Sequence, residues 1–302
     1  MSIIHTPTLK QLRYLSALHR AGHFGRAAAA CNITQSTMSA AIAELESLLG
    51  AVLVERTKRR VFFTALGEAV VAQAHGVLNG AQDIMRLVHA ARAPLGGPLR
   101  LGVIPTISPF LLPRVLPDLR RDYPKLQLYL TEDLTRNLLA RLDAGDLDLL
   151  LLALPYDCGA AETMVLFEDR FSLVCRRTDP LAASARLSPA RLPVQSLLLL
   201  DDGHCMRDHA LAACGLTLPQ HSGPFAATSL FTLIQMVANG LGITLASQLA
   251  LDAGILKGTG LAVRPLRGEG LHRDIGLAWR RGTRRRDEFE TLGRAIAEYA
   301  AR

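Results

Sequence analysis

Three observations predict the fold class of this chain: an N-terminal all-α unit with a short hairpin, one long helix, and a C-terminal α/β unit of two lobes. First, apolar residues over the first ninety positions recur three or four apart, the period of a helix face. Second, from Leu99 onward near-continuous apolar runs alternate with helical stretches, as buried parallel strands and their crossovers do. Third, 302 residues are too many for one ordinary core and fit two or three units.

Composition narrows the class. A hydrophobic content of 49 % with 5 % aromatics describes a globular protein rich in Ala and Leu. No apolar run reaches the length of about 18 residues that a membrane span needs. Met1 to Pro7 lacks a basic stretch followed by an apolar one and a cleavage site, so the expected location is the cytoplasm and no membrane partner is expected. Five cysteines, an odd number, do not make a structural disulfide framework, and no two have CxxC spacing, so no metal site is expected. Asn239-Gly240-Leu241-Gly242 reads as a helix end feeding a strand, not as a phosphate loop, and no cofactor is expected. The formal charge of +7 points to an anionic partner. Residues 1–93 hold ten Lys and Arg against five Asp and Glu, a net of +5 in under a third of the length. Charge placed in this way fits nucleic acid.

The elements follow in order. From Thr8 to Ala21, Leu9, Leu12, Leu15 and Leu18 form one helix face. Phe24 to Cys31 is a short, alanine-rich helix that permits close approach of a neighbour. Asn32-Ile33 is a tight turn, since Asn tolerates left-handed geometry. Thr34 is an N-cap candidate for a helix over Gln35 to Leu49, whose stripe Met38, Ile42, Leu45 and Leu49 faces inward. Its other face carries Gln35, Ser36, Thr37, Ser39 and Ala40, small and hydrogen-bonding side chains of the kind that base edges and phosphates require. Gly50 stops the helix. Val52 to Val54 and Val61 to Phe63 form a hairpin whose tip, Glu55 to Arg60, is basic.

Arg26-Ala27-Ala28, Thr34-Gln35-Ser36, Ser39, Leu45-Glu46, Leu49-Gly50, Leu53, Glu55-Arg56 and Thr64-Ala65-Leu66-Gly67 strongly resemble the winged helix-turn-helix of LysR-type transcriptional regulators. The resemblance implies binding to double-stranded promoter DNA by residues 1–67. Gln35 and the polar residues after it would enter the major groove, and the basic wing would follow the backbone or minor groove. The implied DNA-binding set is Arg26, Thr34, Gln35, Ser36, Thr37, Ser39, Arg56, Lys58 and Arg59. A helix over 68–93, apolar at Val70, Val71, Ala74, Val77, Leu78, Ala81, Ile84, Met85 and Val88, would pair with that of a second subunit. A homo-oligomer is therefore implied, a dimer of dimers as in many relatives of this type, with RNA polymerase as a further partner. Ala93 to Pro98 then forms a hinge.

Beyond the hinge, strands are expected over Leu99–Ile104, Leu126–Leu130 and Leu147–Leu152, with helices over Phe110–Asp122 and Thr135–Leu142. A second set is Phe171–Arg176, Leu197–Leu200, the segment from Asp201 to Gly215, a helix over Ser229–Ala238 and a strand over Ile243–Ala246. Ile275–Trp279 and a helix over Arg286–Ala301 return to the first set. Two such lobes with a cleft between them resemble the periplasmic-binding-protein-like effector domain of the same family. That domain is expected over residues 94–302, with lobe I at about 97–167 and 271–302 and lobe II at about 168–270.

Asp201 to Gly215 contains Cys205 and Cys214. A thiol beside His204 and Arg207 at a helix start sits where cationic neighbours and the helix dipole favour the thiolate. Nine residues of intact helix separate the two Cα atoms by roughly 13 Å. A disulfide needs about 7 Å or less, so if the two sulfurs join, the segment must refold. The plainer reading is that both are ordinary small apolar residues.

Leu101 to Thr106, Pro117, Tyr123 to Leu126, Leu138 to Gly145, Asp202 to Asp208 with Cys214, and Ala227 to Leu230 resemble the OxyR-type, hydrogen-peroxide-sensing group of the LysR family. That resemblance implies Cys205 as the peroxidatic thiol and Cys214 as the resolving one. It implies a peroxide pocket of Thr106, Thr135, His204, Arg207, Asp208 and Arg273. Thr106 and Thr135 also read as mere helix caps, and Cys31, Cys158 and Cys175 fit no redox role. Three functions stand: a peroxide-responsive regulator, an activator of oxidative-stress genes; a regulator answering a metabolite in the cleft, its cysteines incidental; and a thiol peroxidase, for which the DNA-binding third would be useless. The first two are not enzymes.

Overall fold

The structure, a computed structural model, describes residues 6–56, 61–90, 95–184, 187–216 and 227–302. The side chains at positions 56, 82, 83 and 85–90 fall outside that description, as do Lys58, Arg59 and the first two residues of the expected hinge, Ala93 and Pro94. The chain divides into two compact units, Met1–Val88 and His89–Arg302.

In the first unit, α1 (Leu9–Ala21) begins at Thr8, whose hydroxyl accepts from the Gln11 backbone N–H while the Gln11 side chain accepts from the Thr8 N–H. This reciprocal cap satisfies two otherwise orphaned donors. α2 (Phe24–Ala30) is followed by Asn32 at φ 55°, the left-handed turn expected of that residue. α3 (Gln35–Leu49) starts at Thr34, whose Oγ1 accepts from the Thr37 N–H, and ends at Gly50 with φ 62°. Met38, Ile42 and Leu45 are fully buried against Leu15, Leu18 and Ala27 in one core. Leu49 departs from the expected inward stripe: it is partly exposed and lines an open apolar groove with Leu12, Leu66 and Val70.

Strands β1 (Val54–Arg56) and β2 (Val61–Phe63) pair antiparallel as the wing. Glu46 anchors the wing to α3 by accepting from the N–H groups of Leu53 and Val54 at 2.8 and 3.0 Å. α4 (Ala65–Ala90) starts under Thr64, whose hydroxyl donates to the Val52 carbonyl and accepts from the Gly67 N–H. A Cβ on Gly67 would lie 2.2 Å from the Leu53 carbonyl oxygen, so only glycine lets the helix start this close to the wing.

The second unit opens with β3 (Pro98–Val103), α5 (Ser108–Asp122), β4 (Gln127–Glu132), α6 (Thr135–Asp143) and β5 (Leu149–Leu154). β3 lies parallel between β4 and β5. Next come β6 (Glu162–Arg176), β7 (Leu197–Leu198), α7 (Cys205–Cys214), α8 (Leu230–Ala238), β8 (Ile243–Ser247), α9 (Gln248–Asp252), β9 (Leu261–Pro265), β10 (His272–Trp279) and α10 (Arg286–Ala300). The sheet runs β4-β3-β5-β10-β6-β8-β7, with β9 also on β6. β6 joins the two lobes: its first part pairs antiparallel with β10 up to Arg170, and its remainder from Phe171 pairs with β8 and β9.

Three departures from the sequence reading have physical causes. Only Phe171 to Arg176 of β6 was legible, because that part is buried on both faces while Glu162 to Arg170 alternates with solvent. β4 is parallel as expected but not buried: it is the edge strand, with Tyr129 and Leu130 exposed. α9 and β9 carry too few residues for their periodicity to register. Among the described residues no helix is long and apolar enough to cross a membrane.

Candidate functional site

On the first unit, the exposed N-terminal turn of α3 presents Gln35, Ser36, Thr37 and Ala40, while Ser39 is half-buried. The Thr34 hydroxyl lies 2.8 Å from those of both Ser36 and Thr37, so the free protein keeps these groups hydrogen-bonded to one another. Small hydroxyls can exchange such bonds for phosphate or base-edge contacts at little cost. Arg26 is exposed on α2 and its guanidinium donates to the Ala21 carbonyl at 2.6 Å, which holds it beside the turn. The His23 imidazole caps α2 by accepting from the Gly25 N–H at 3.0 Å, a role with no strong sequence signal because His is a rare cap. Arg56 lies on β1, with its side chain outside the described residues.

On the second unit, Cys205 is the first residue of α7 and is 4 % exposed. Gly203, with φ 95°, makes the left-handed turn that delivers it. Three predicted neighbours converge there. Arg273, 1 % exposed, donates from Nε to Asp169 at 2.9 Å, from one terminal nitrogen to the Thr106 hydroxyl at 2.9 Å and from the other to the Thr106 carbonyl at 3.0 Å. Asp169 lies opposite Arg273 in the β6–β10 register and also accepts from the Leu249 N–H. Removing one partner of so buried a pair costs about 3–5 kcal/mol. Thr135 opens α6, yet it caps nothing: Leu134 is the cap residue, and the Thr135 hydroxyl is buried with no hydrogen-bond partner among the described residues.

Burial pushes the Cys205 thiol up, and the Arg273 guanidinium and the Thr135 hydroxyl pull it back toward the thiolate. This corrects the expectation that His204 and Arg207 supply the positive charge. His204 is buried, and that burial lowers its pKa and keeps it neutral. Arg207 turns away to pair with Asp202. Asp208 is exposed and disfavours the thiolate. The cation at Cys205 is Arg273, distant in sequence. Two polar groups that sequence reasoning passed over are Asp169, which fixes Arg273, and His209, whose Nε2 lies 2.7 Å from the Pro155 carbonyl.

Cys214 ends α7, buried among apolar side chains that lift its pKa to about 11. The two thiols are reduced and stand at opposite ends of an unbroken helix. Cys31 closes α2, half-buried, Cys175 is inside β6, and Cys158 lies in the connection before β6. Among the described residues no group of three His, Cys, Asp or Glu side chains is placed to hold a metal.

Two family descriptions match this architecture: the bacterial regulatory helix-turn-helix protein, lysR family, over residues 9–68, and the LysR substrate binding domain over residues 92–301. The chain is 40 % identical to the HTH-type transcriptional regulator EstR of Acinetobacter baylyi, over 95 % of each chain. It is 38 % identical to the hydrogen peroxide-inducible genes activator of Dickeya chrysanthemi, over 96 % of this chain and 95 % of that one. The solved structure of a full-length OxyR variant from Pseudomonas aeruginosa is 37 % identical and superposes with a TM-score of 0.78, covering 97 % of this chain and 95 % of the other. The relatives are regulators of transcription and not enzymes, and a thiol peroxidase reading therefore falls away. Helix-turn-helix, effector lobes and full-length similarity agree: the chain belongs to the LysR family of DNA-binding transcriptional regulators and is of its OxyR-like type.

Proposed function

We propose that this regulator senses hydrogen peroxide in the cytoplasm through a reversible Cys205–Cys214 disulfide and activates oxidative-stress genes. One observation carries the reading: a buried thiol at a helix start faces a buried guanidinium and a hydroxyl that has no other partner. The thiolate of Cys205 attacks one peroxide oxygen, the O–O bond breaks, and the departing oxygen takes up a proton and leaves as water. The sulfenic acid so formed is attacked by the Cys214 sulfur, the S–O bond breaks and a second water leaves. Thr106, Thr135 and Arg273 stabilise the negative charge that gathers on the departing oxygen, while His204, Arg207 and Asp208 shape the entrance. At the usual helical rise the two Cα atoms are about 13 Å apart, beyond the reach of about 7 Å for a disulfide, so oxidation unwinds α7. Shape then changes with redox state.

Residues 1–67 bind promoter DNA through Arg26, Thr34, Gln35, Ser36, Thr37, Ser39, Arg56, Lys58 and Arg59, 68–93 pair subunits, and 94–302 sense. A dimer of dimers that contacts RNA polymerase completes the proposal. The alternative reading is a LysR-type regulator that answers a small metabolite in the inter-lobe cleft, its cysteines incidental.

Peptide mapping after one equivalent of peroxide separates the two. Wild type should gain the Cys205–Cys214 bridge, C205S should stay unmodified, and C214S should stop at the sulfenic acid. Unmodified Cys205 in wild type, or a DNA response unaltered in C205S, leaves the metabolite reading standing.

A further inference from the structure

Among the described residues two buried side-chain atoms lack a hydrogen-bond partner, Thr135 Oγ1 and His209 Nδ1. A polar atom buried without a partner is destabilising, and when two occur around one thiol they call for a common cause. His209 is one helical turn beyond Cys205 on α7, and side chains four apart share a face. Its Nε2 is 2.7 Å from the Pro155 carbonyl oxygen. A carbonyl only accepts, so Nε2 carries the proton and donates, and in the neutral ring Nδ1 is then a bare acceptor. The Arg273 charge bears on both the Cys205 thiol and the His209 ring, and Tyr156, next to Pro155, feels the Cys205 thiolate. Ring and thiol therefore share one face of α7.

Hydrogen peroxide has two O–H donors as well as lone pairs. Thr106, Thr135 and Arg273 offer hydrogens to those lone pairs, and an acceptor for the peroxide hydroxyl is still needed. Resting on the peroxide reading above, we propose that His209 is a substrate-binding residue whose Nδ1 accepts a hydrogen bond from the hydroperoxide that Cys205 attacks. The bond aligns the attacked oxygen with Sγ. As S–O forms and O–O breaks, the attacked oxygen stays on sulfur, and the departing oxygen takes the proton that the thiol gave up and leaves as water. His209 begins and ends neutral. Burial first, and the Arg273 charge after it, lower the pKa of the ring, against the hydrogen bond to the Pro155 carbonyl and the charges of Asp208 on α7 and Asp274 on β10, which pull the other way. Protonation would turn Nδ1 from an acceptor into a donor and abolish the contact.

The test is H209Q in the full-length, reduced C214S background, in which only the first step occurs. A glutamine amide nitrogen can take the place of Nε2 and keep the donor to Pro155, but it puts no acceptor at Nδ1. The second-order rate of Cys205 oxidation by hydrogen peroxide should fall at least tenfold at pH 7. Reaction with methyl methanethiosulfonate, which has no O–H to be accepted, should change less than twofold. The parent rate should also fall more steeply at acidic pH than that of H209Q, which keeps only the decline due to protonation of the Cys205 thiolate. A peroxide rate within twofold of the parent overturns the proposal, and so does a loss of methanethiosulfonate reactivity in proportion, which would mean a structural role. If Cys205 of the parent does not react with peroxide at all, the peroxide reading itself fails, a result distinct from an indifferent H209Q. Thermal melting checks that H209Q folds, and H209N replaces it if it does not.

Discussion

Cys205 and Cys214 are the same residue type on one helix, yet their surroundings oppose each other. Cys205 has Arg273 and Thr135 to offset burial, whereas Cys214 has burial alone, and its pKa rises to about 11. A thiol whose folded pKa is raised keeps its proton when the unfolded chain has already lost it. Its contribution to stability is therefore fully present below about pH 9 and is lost as pH rises through about 11. Urea midpoints of the reduced protein should fall over that window, and C214A should fall less. Equal declines would show that Cys214 is not buried as described. The same scale explains why His204 and Arg207 misled the reading of charge. Neighbours in sequence on a helix point in different directions, so proximity along the chain does not place a cation at a sulfur.

At the scale of elements, the recognition helix and the wing contribute differently to DNA binding. The start of α3 is held by the Thr34 cap and presents Gln35 to solvent, free to meet a base edge. Q35A should cost about 1–3 kcal/mol on the operator and little on unrelated DNA, because lost base-edge bonds affect sequence preference. R56A should weaken binding to any DNA and flatten its salt dependence, as loss of a phosphate contact does. Titrations on operator and scrambled duplexes at two salt concentrations check both. Unchanged operator preference in Q35A would mean that another face of the unit reads the bases.

At the scale of the molecule, α4 exposes Leu66, Val77 and Ile84, each more than half accessible. Leu49 and Leu66 line an apolar groove together with Leu12, Val70 and Val77. Apolar area of this extent, exposed to water, marks a contact surface. Sedimentation should therefore show at least a dimer at micromolar concentration, and V77E with I84E should shift it toward monomer while the reduced thiols keep their peroxide reactivity. A wild-type monomer would contradict the pairing of α4.

What the sequence determined by itself was whatever depends on local pattern. Helix faces, the Thr34 cap, the turn at Asn32, the stop at Gly50 and the core strand β5 follow from spacing and from the stereochemistry of single residues. The cysteine segment was legible as a helix start for the same reason. Tertiary structure decided which groups meet across the chain. Arg273 reaches Thr106 across 167 positions and Asp169 across 104, because β10 and β6 lie side by side in antiparallel register. The partnerless atoms of Thr135 and His209 also emerge only when α6, α7 and the residues around Pro155 are packed together. Burial sets the charge state of a thiol or an imidazole through the dielectric around it, and that surrounding is made of residues no local window contains.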